Sequence, residues 1–109
     1  MNPEAPVKRQ LDAYNARDLT TFVAQFSDNI KVYMPPNATP ALEGKTAFAE
    51  HYQTKRFNLP NLHAQILNRM VVGNKVIDHE RVSGVTETPS EVAVVYEVEN
   101  SLIINVWFY

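Results

Sequence analysis

At 109 residues the chain has the length of one domain that buries a core without disulfide or metal staples. Its 10 Lys and Arg against 12 Asp and Glu leave a formal net charge of -2, neither the basic footprint of a nucleic-acid binder nor the one-signed tail of a membrane-surface protein. Cysteine is absent, which excludes disulfide and thiolate chemistry. No basic, apolar leader follows Met1-Asn2-Pro3-Glu4 and no apolar run is long enough to span a bilayer, so a cytoplasmic protein is the expectation.

From Pro6 onward, Val7, Leu11 and Tyr14 recur at intervals of four and three, which predicts an amphipathic helix with Lys8, Arg9, Gln10 and Asp12 left to water. Asn15-Ala16-Arg17 breaks the pattern. Asp18 then stands where an N-cap belongs, before Leu19, Phe22, Val23 and Phe26, so a second helix is expected to end near Ser27-Asp28-Asn29. Ile30, Val32 and Met34 alternate with Lys31 and Tyr33 as in a half-buried strand, which Pro35-Pro36 stops. The segment on to Gly44, with Pro40 as its third proline, reads as a stiff loop of the kind that rims a site. Past Lys45, Phe48 and Tyr52 fall four apart with Ala47 and His51 beside them, giving a third helix with an aromatic face that finishes before Pro60.

The remainder reads as four strands, His63 to Val72, Lys75 to Gly84, Glu91 to Glu99 and Leu102 to Tyr109. Gly73-Asn74, Thr88-Pro89-Ser90 and Asn100-Ser101 punctuate them. Three helices followed by an antiparallel meander predict a single α+β domain over residues 1–109, with the helices on one face of the sheet. Val92, Val94, Tyr96 and Val98 line one side of the third long strand, and Val95 and Glu97 the other. In the last strand Ile104, Val106 and Phe108 are expected to oppose Ile103, Trp107 and Tyr109. Because the helices cover only one face, the second apolar face predicts a homodimer.

The run Asp78-His79-Glu80-Arg81 is the densest set of ionisable groups in the chain, and strand geometry must split it between two faces. With Gly73-Asn74 as a two-residue turn, Val72 pairs Lys75, Arg69 pairs Asp78 and Asn68 pairs His79. One face then carries Ile66, Asn68, Met70, Ile77, His79, Arg81 and Ser83, and the other Leu67, Arg69, Val71, Val76, Asp78, Glu80 and Val82. An Arg69–Asp78 ion pair gives the carboxylates a structural partner, so His79 and Arg81 are expected to face the site. His79 is the candidate acid or base, since its ordinary pKa lies nearest neutrality, and Arg81 and Tyr52 are the candidate catalytic donors to developing negative charge. Tyr14, Tyr52 and Tyr96, with Phe22, Phe26, Asn68, Ser83 and Phe108, are the candidate lining of a pocket for a flat, apolar small molecule. His51, His63 and His79 lack ligand spacing, and dinucleotide, phosphate-loop, serine-hydrolase and zincin motifs are missing, so neither metal nor cofactor is expected.

Ala13-Tyr14-Asn15-Ala16-Arg17-Asp18-Leu19, Phe26-Ser27-Asp28-Asn29, Gly44-Lys45-Thr46-Ala47, His51-Tyr52, Val76-Ile77-Asp78-His79-Glu80 and Val106-Trp107-Phe108 together cover nearly the whole chain. In these it resembles the SnoaL-like and ketosteroid-isomerase-like proteins of the nuclear-transport-factor-2-like superfamily. The resemblance implies a cone-shaped α+β fold, a curved sheet wrapped around three helices to enclose a pocket, and a dimer through the outer sheet face. It also implies where ketosteroid-isomerase machinery would stand. The base position falls on Met34, the helix-one tyrosine on Gln10 and the strand acid on Val94, with only the helix-three tyrosine retained as Tyr52, which argues against steroid isomerisation by that set. Glu80-Arg81-Val82-Ser83 is similar to the Glu-Arg-Ile-Asp of related epoxide hydrolases with its last acid replaced. The expectation is a SnoaL-like small-molecule-binding protein, acting as an isomerase, cyclase or hydrolase by proton transfer on an apolar or enolisable substrate, or else a non-catalytic ligand-binding or dimerisation module of the same fold.

Overall fold

The computed structural model describes residues 2–109. Helix α1 spans Glu4–Ala16 and buries Val7, Gln10, Ala13 and Tyr14 along one face. It stops at Arg17, which turns into the left-handed region at a φ of 54°. The Asp18 carboxylate then accepts from the Thr21 backbone N–H at 3.2 Å and starts α2, Leu19–Val23.

Helix α2 is shorter than its apolar spacing predicts, because Phe26 already opens strand β1, Phe26–Tyr33. Pairing with the last strand claims this backbone: the Ile103 N–H donates to the Gln25 carbonyl at 2.9 Å, and Phe26 lies beside Ile103 in parallel register. Nor is the proline-bearing loop irregular throughout. The Ala41 N–H donates to the Val32 carbonyl at 2.7 Å and the Gly44 N–H to the Ile30 carbonyl at 2.8 Å, which makes a short strand β2, Leu42–Glu43, antiparallel to β1. Helix α3 follows as Lys45–Lys55.

Strands β3 (His63–Val72), β4 (Lys75–Ser83), β5 (Ser90–Glu99) and β6 (Leu102–Phe108) form the expected antiparallel meander. The sheet order is β2-β1-β6-β5-β4-β3, with β1 parallel to β6, so the sheet is mixed and open at β2 and β3. Three helices packed on this six-stranded sheet make the α+β cone.

Two β-bulges change which residues share a face. In β3 the ladder passes from Ile66 opposite Glu80 to Asn68 opposite His79, leaving Leu67 unmatched, so Ile66 faces inward rather than with Asn68. In the last hairpin the ladder passes from Val98 opposite Ile103 to Glu97 opposite Asn105, leaving Ile104 unmatched. Ile103 is therefore fully buried, together with Val106, and does not share the outer face with Trp107 as strict alternation predicts.

The core is an aromatic cluster centred on Phe22. Its ring lies 5.6 Å from Phe48 in a stacked pair, 5.0 Å from Phe26 and 4.8 Å from Tyr52, which are separations at which aromatic pairs attract. Ile30, Val76, Val94 and Val98 complete it from the sheet.

A cavity with a buried acid

Between the helices and the inner sheet face lies a cavity of about 460 Å³. Helix α1 contributes Gln10, Leu11 and Tyr14, helix α3 contributes Phe48, His51 and Tyr52, and the sheet contributes Ala64, Glu80, Val82, Val92, Tyr96, Val106 and Phe108. The end of α1 is clamped to the sheet edge. Asn15 donates to the Ala64 carbonyl at 3.0 Å and accepts from the Ala64 N–H at 2.8 Å, while Arg17 donates to the Leu62 carbonyl at 2.9 Å. Tyr14, one residue before the clamp, is thereby held over the cavity.

Glu80 is the one carboxylic acid in this lining. Only 8% of it is exposed, and no hydrogen bond from a described residue holds its carboxyl. Burial pushes its pKa up from 4.5 to about 7; Asp78 adds to the rise and Arg69 opposes it. Asp78, two residues away on the same face, is fully buried and receives both arms of Arg69, at 2.7 and 2.9 Å. The guanidinium also comes within 3.8 Å of Glu4 at the start of α1. Thus the buried charge of Asp78 is satisfied across the strands, whereas Glu80 faces the cavity without a partner.

Three phenols surround that acid. Burial pushes the Tyr14 hydroxyl up to about 12, and it pushes Tyr52 and Tyr96 upward as well, so all three are neutral donors. Gln10 Nε2 donates to Tyr96 Oη at 3.3 Å. At the end of α3, His51 has its pKa lowered by burial and by the neighbouring cations Arg56 and Lys55. A carboxylic acid that changes state near neutrality beside neutral phenols is equipped to move a proton to or from a bound molecule.

The structure reverses the expected orientation of the charge run. His79 and Arg81 lie on the outer face with side chains 50% and 45% exposed, and both engage Glu91: His79 Nε2 at 2.6 Å and Arg81 Nη2 at 3.3 Å. Those two hydrogen bonds hold the Glu91 carboxyl below its usual range. Asn68, opposite His79, is exposed, and Ser83 turns its hydroxyl to the His63 carbonyl at 3.4 Å, so neither lines the cavity. The pairing predicted from the Gly73-Asn74 turn is present residue for residue from Val72–Lys75 to Asn68–His79, and so is the Arg69–Asp78 pair. The inner face, however, is the one that carries Asp78 and Glu80, not the one that carries His79 and Arg81. The carboxylates share their parity with Val76 and Val82, against Lys75, His79 and Arg81 on the other side, and that apolar bias was the available signal.

Of the other candidates, Tyr14, Phe22, Phe26, Tyr52, Tyr96 and Phe108 all line the cavity. Gln10, His51 and Arg56 line it too, although the sequence did not single them out as site residues. The three histidines stand apart, on α3, at the start of β3 and on the outer face of β4.

The architecture is a cone-shaped α+β fold, shared with solved NTF2-like structures. The family described as SnoaL-like domain matches residues 7–106, and the chain belongs to that family. An uncharacterized cystatin fold protein from Novosphingobium aromaticivorans superposes with a TM-score of 0.86 at 26% identity, over 100% of this chain and 98% of that one. An NTF2-like protein of unknown function from Cytophaga hutchinsonii gives 0.84 at 13% identity, over 100% and 89%. A computationally designed 17-OHP binder gives 0.85 at 13% identity, over 100% and 92%. Comparison with curated protein sequences returns no match.

Proposed function

We propose that this protein binds an apolar, enolisable small molecule in the cone and transfers a proton on it with Glu80, while Tyr52 and Tyr14 donate to the developing oxyanion. The observation that carries this reading is the position of Glu80, a carboxyl facing an apolar cavity with no hydrogen-bond partner among the described residues. Its pKa of about 7 supports the role, because an acid poised near the working pH serves in both protonation states. The designed 17-OHP binder supports the ligand class, as a molecule of that kind has been fitted to a similar fold. His79 and Arg81 have no part in this chemistry.

Exchange of the α-protons of 2-tetralone in D2O, followed by NMR, tests the proposal. Wild type should accelerate exchange, Glu80→Gln should lose roughly a hundredfold or more of the acceleration, and His79→Ala should keep it. Equal rates for Glu80→Gln and wild type would sink the reading. The outer sheet face favours a homodimer in addition. Tyr33 and Trp107 stack there at 5.6 Å beside half-buried Ile77 and Val95, and no helix among the described residues covers them.

A further inference from the structure

Arg56 stands at the C-terminal end of α3 and lines the cavity, half-buried. One of its donors, Nη1, is spent on the Lys55 carbonyl at 2.8 Å, and a side-chain hydrogen bond joins it to the Tyr14 phenol. Among the described residues it makes no ion pair, whereas Arg69 and Arg81 each hold a carboxylate. A guanidinium carries five donors in a planar fork, and leaving most of them beside an apolar wall is costly unless a partner arrives. Arg56 and the acid act on the same two phenols, although Arg56 is not among the charges that shift Glu80 itself. The phenols of Tyr14 and Tyr52 both feel Arg56, which makes them easier to ionise, and Glu80, which makes them harder.

We propose that the cavity takes an apolar molecule carrying one carboxylate, which pairs with the Arg56 fork while the hydrocarbon packs among Phe22, Phe48, Val82, Val92 and Val106. This deepens the reading of the cavity as a ligand site and rests on it. A planar carboxylate matches one guanidinium through two parallel hydrogen bonds. A phosphate is disfavoured because its second negative charge would find no further Lys or Arg among the described lining residues. A volume of about 460 Å³ is within the range of drug-sized ligand pockets.

Isothermal titration of the full chain with naphthalene-2-carboxylate and with naphthalene-2-carboxamide, at pH 6, tests the assignment. Wild type should bind the acid at least tenfold tighter than the amide. Arg56→Gln should bring the acid down to the affinity of the amide without moving the amide, and Arg56→Lys, which keeps the charge and loses the fork, should fall between. Equal affinities in wild type, or an Arg56→Gln variant that weakens both probes alike, overturns the carboxylate assignment and leaves the ligand site standing. Failure of both probes to bind wild type overturns the assignment and the ligand-site reading together. Unchanged thermal melting of both variants shows that the fold is intact.

Discussion

At the scale of single residues, Glu80 couples the cavity to stability. Its pKa is raised from 4.5 to about 7 on folding, so the folded state prefers the protonated form. The resulting stabilisation is complete below about pH 4.5, declines as pH rises, and is gone above about pH 7. Glu80→Gln, which is neutral at every pH, should flatten this decline. At pH 8 it should exceed wild type by up to roughly 3 kcal/mol, checked by urea unfolding across pH 4 to 8. Arg69 acts in the opposite sense. Arg69→Met leaves the fully buried Asp78 carboxylate without its partner and should cost about 3–5 kcal/mol, and adding Asp78→Leu should recover most of that in the same assay. The ion pair itself was readable from the hairpin register. The loneliness of Glu80 was not, since it depends on what the opposing helices fail to offer.

At the scale of elements, three boundaries show what periodicity carries and what it does not. The helices α1 and α3 and the four-strand meander follow directly from apolar spacing and turn residues. The end of α2 does not, because Phe26 satisfies a helical pattern and a strand pattern equally until Ile103, 77 positions away in sequence, supplies a backbone partner. Strand β2 was hidden for the same reason, its two residues being fixed by pairing with Lys31 and Val32 rather than by their own propensity. Turns are more local. Gly84 has a φ of 84°, and a Cβ there would collide with the Asn61 carbonyl where the strand passes the α3–β3 connection, while Gly73, at 60°, has open space around it. Gly84→Ala should therefore destabilise by more than the roughly 1–3 kcal/mol of backbone strain alone, and Gly73→Ala by only about 1 kcal/mol, measured as shifts in denaturant midpoint.

At the scale of the whole molecule, the outer sheet face and the open sheet edge have different fates. If the outer face joins two copies, light scattering at micromolar concentration should give a mass twice that of the chain, and Ile77→Lys should return it to one without loss of helical signal. The edge at β3 is a separate matter. Ten residues long, it exposes Leu67, Met70, Val71 and Val72, the composition of a strand that recruits further strands. The unmatched Leu67 interrupts that edge and also switches parity. Ala64 and Ile66 point inward at even positions and Arg69 at an odd one, which only an extra residue between them permits. Deletion of Leu67 closes the ladder from Ile66–Glu80 to Asn68–His79 and Arg69–Asp78, so it should keep the Arg69–Asp78 pair and leave a smooth, sticky border along which copies add sheet to sheet. Time-dependent turbidity with thioflavin binding in the deletion variant, absent in the full chain, is the expected outcome. One surplus residue in β3 thus keeps the protein from polymerising, while the guanidinium that steadies the acid's neighbour holds its place without it.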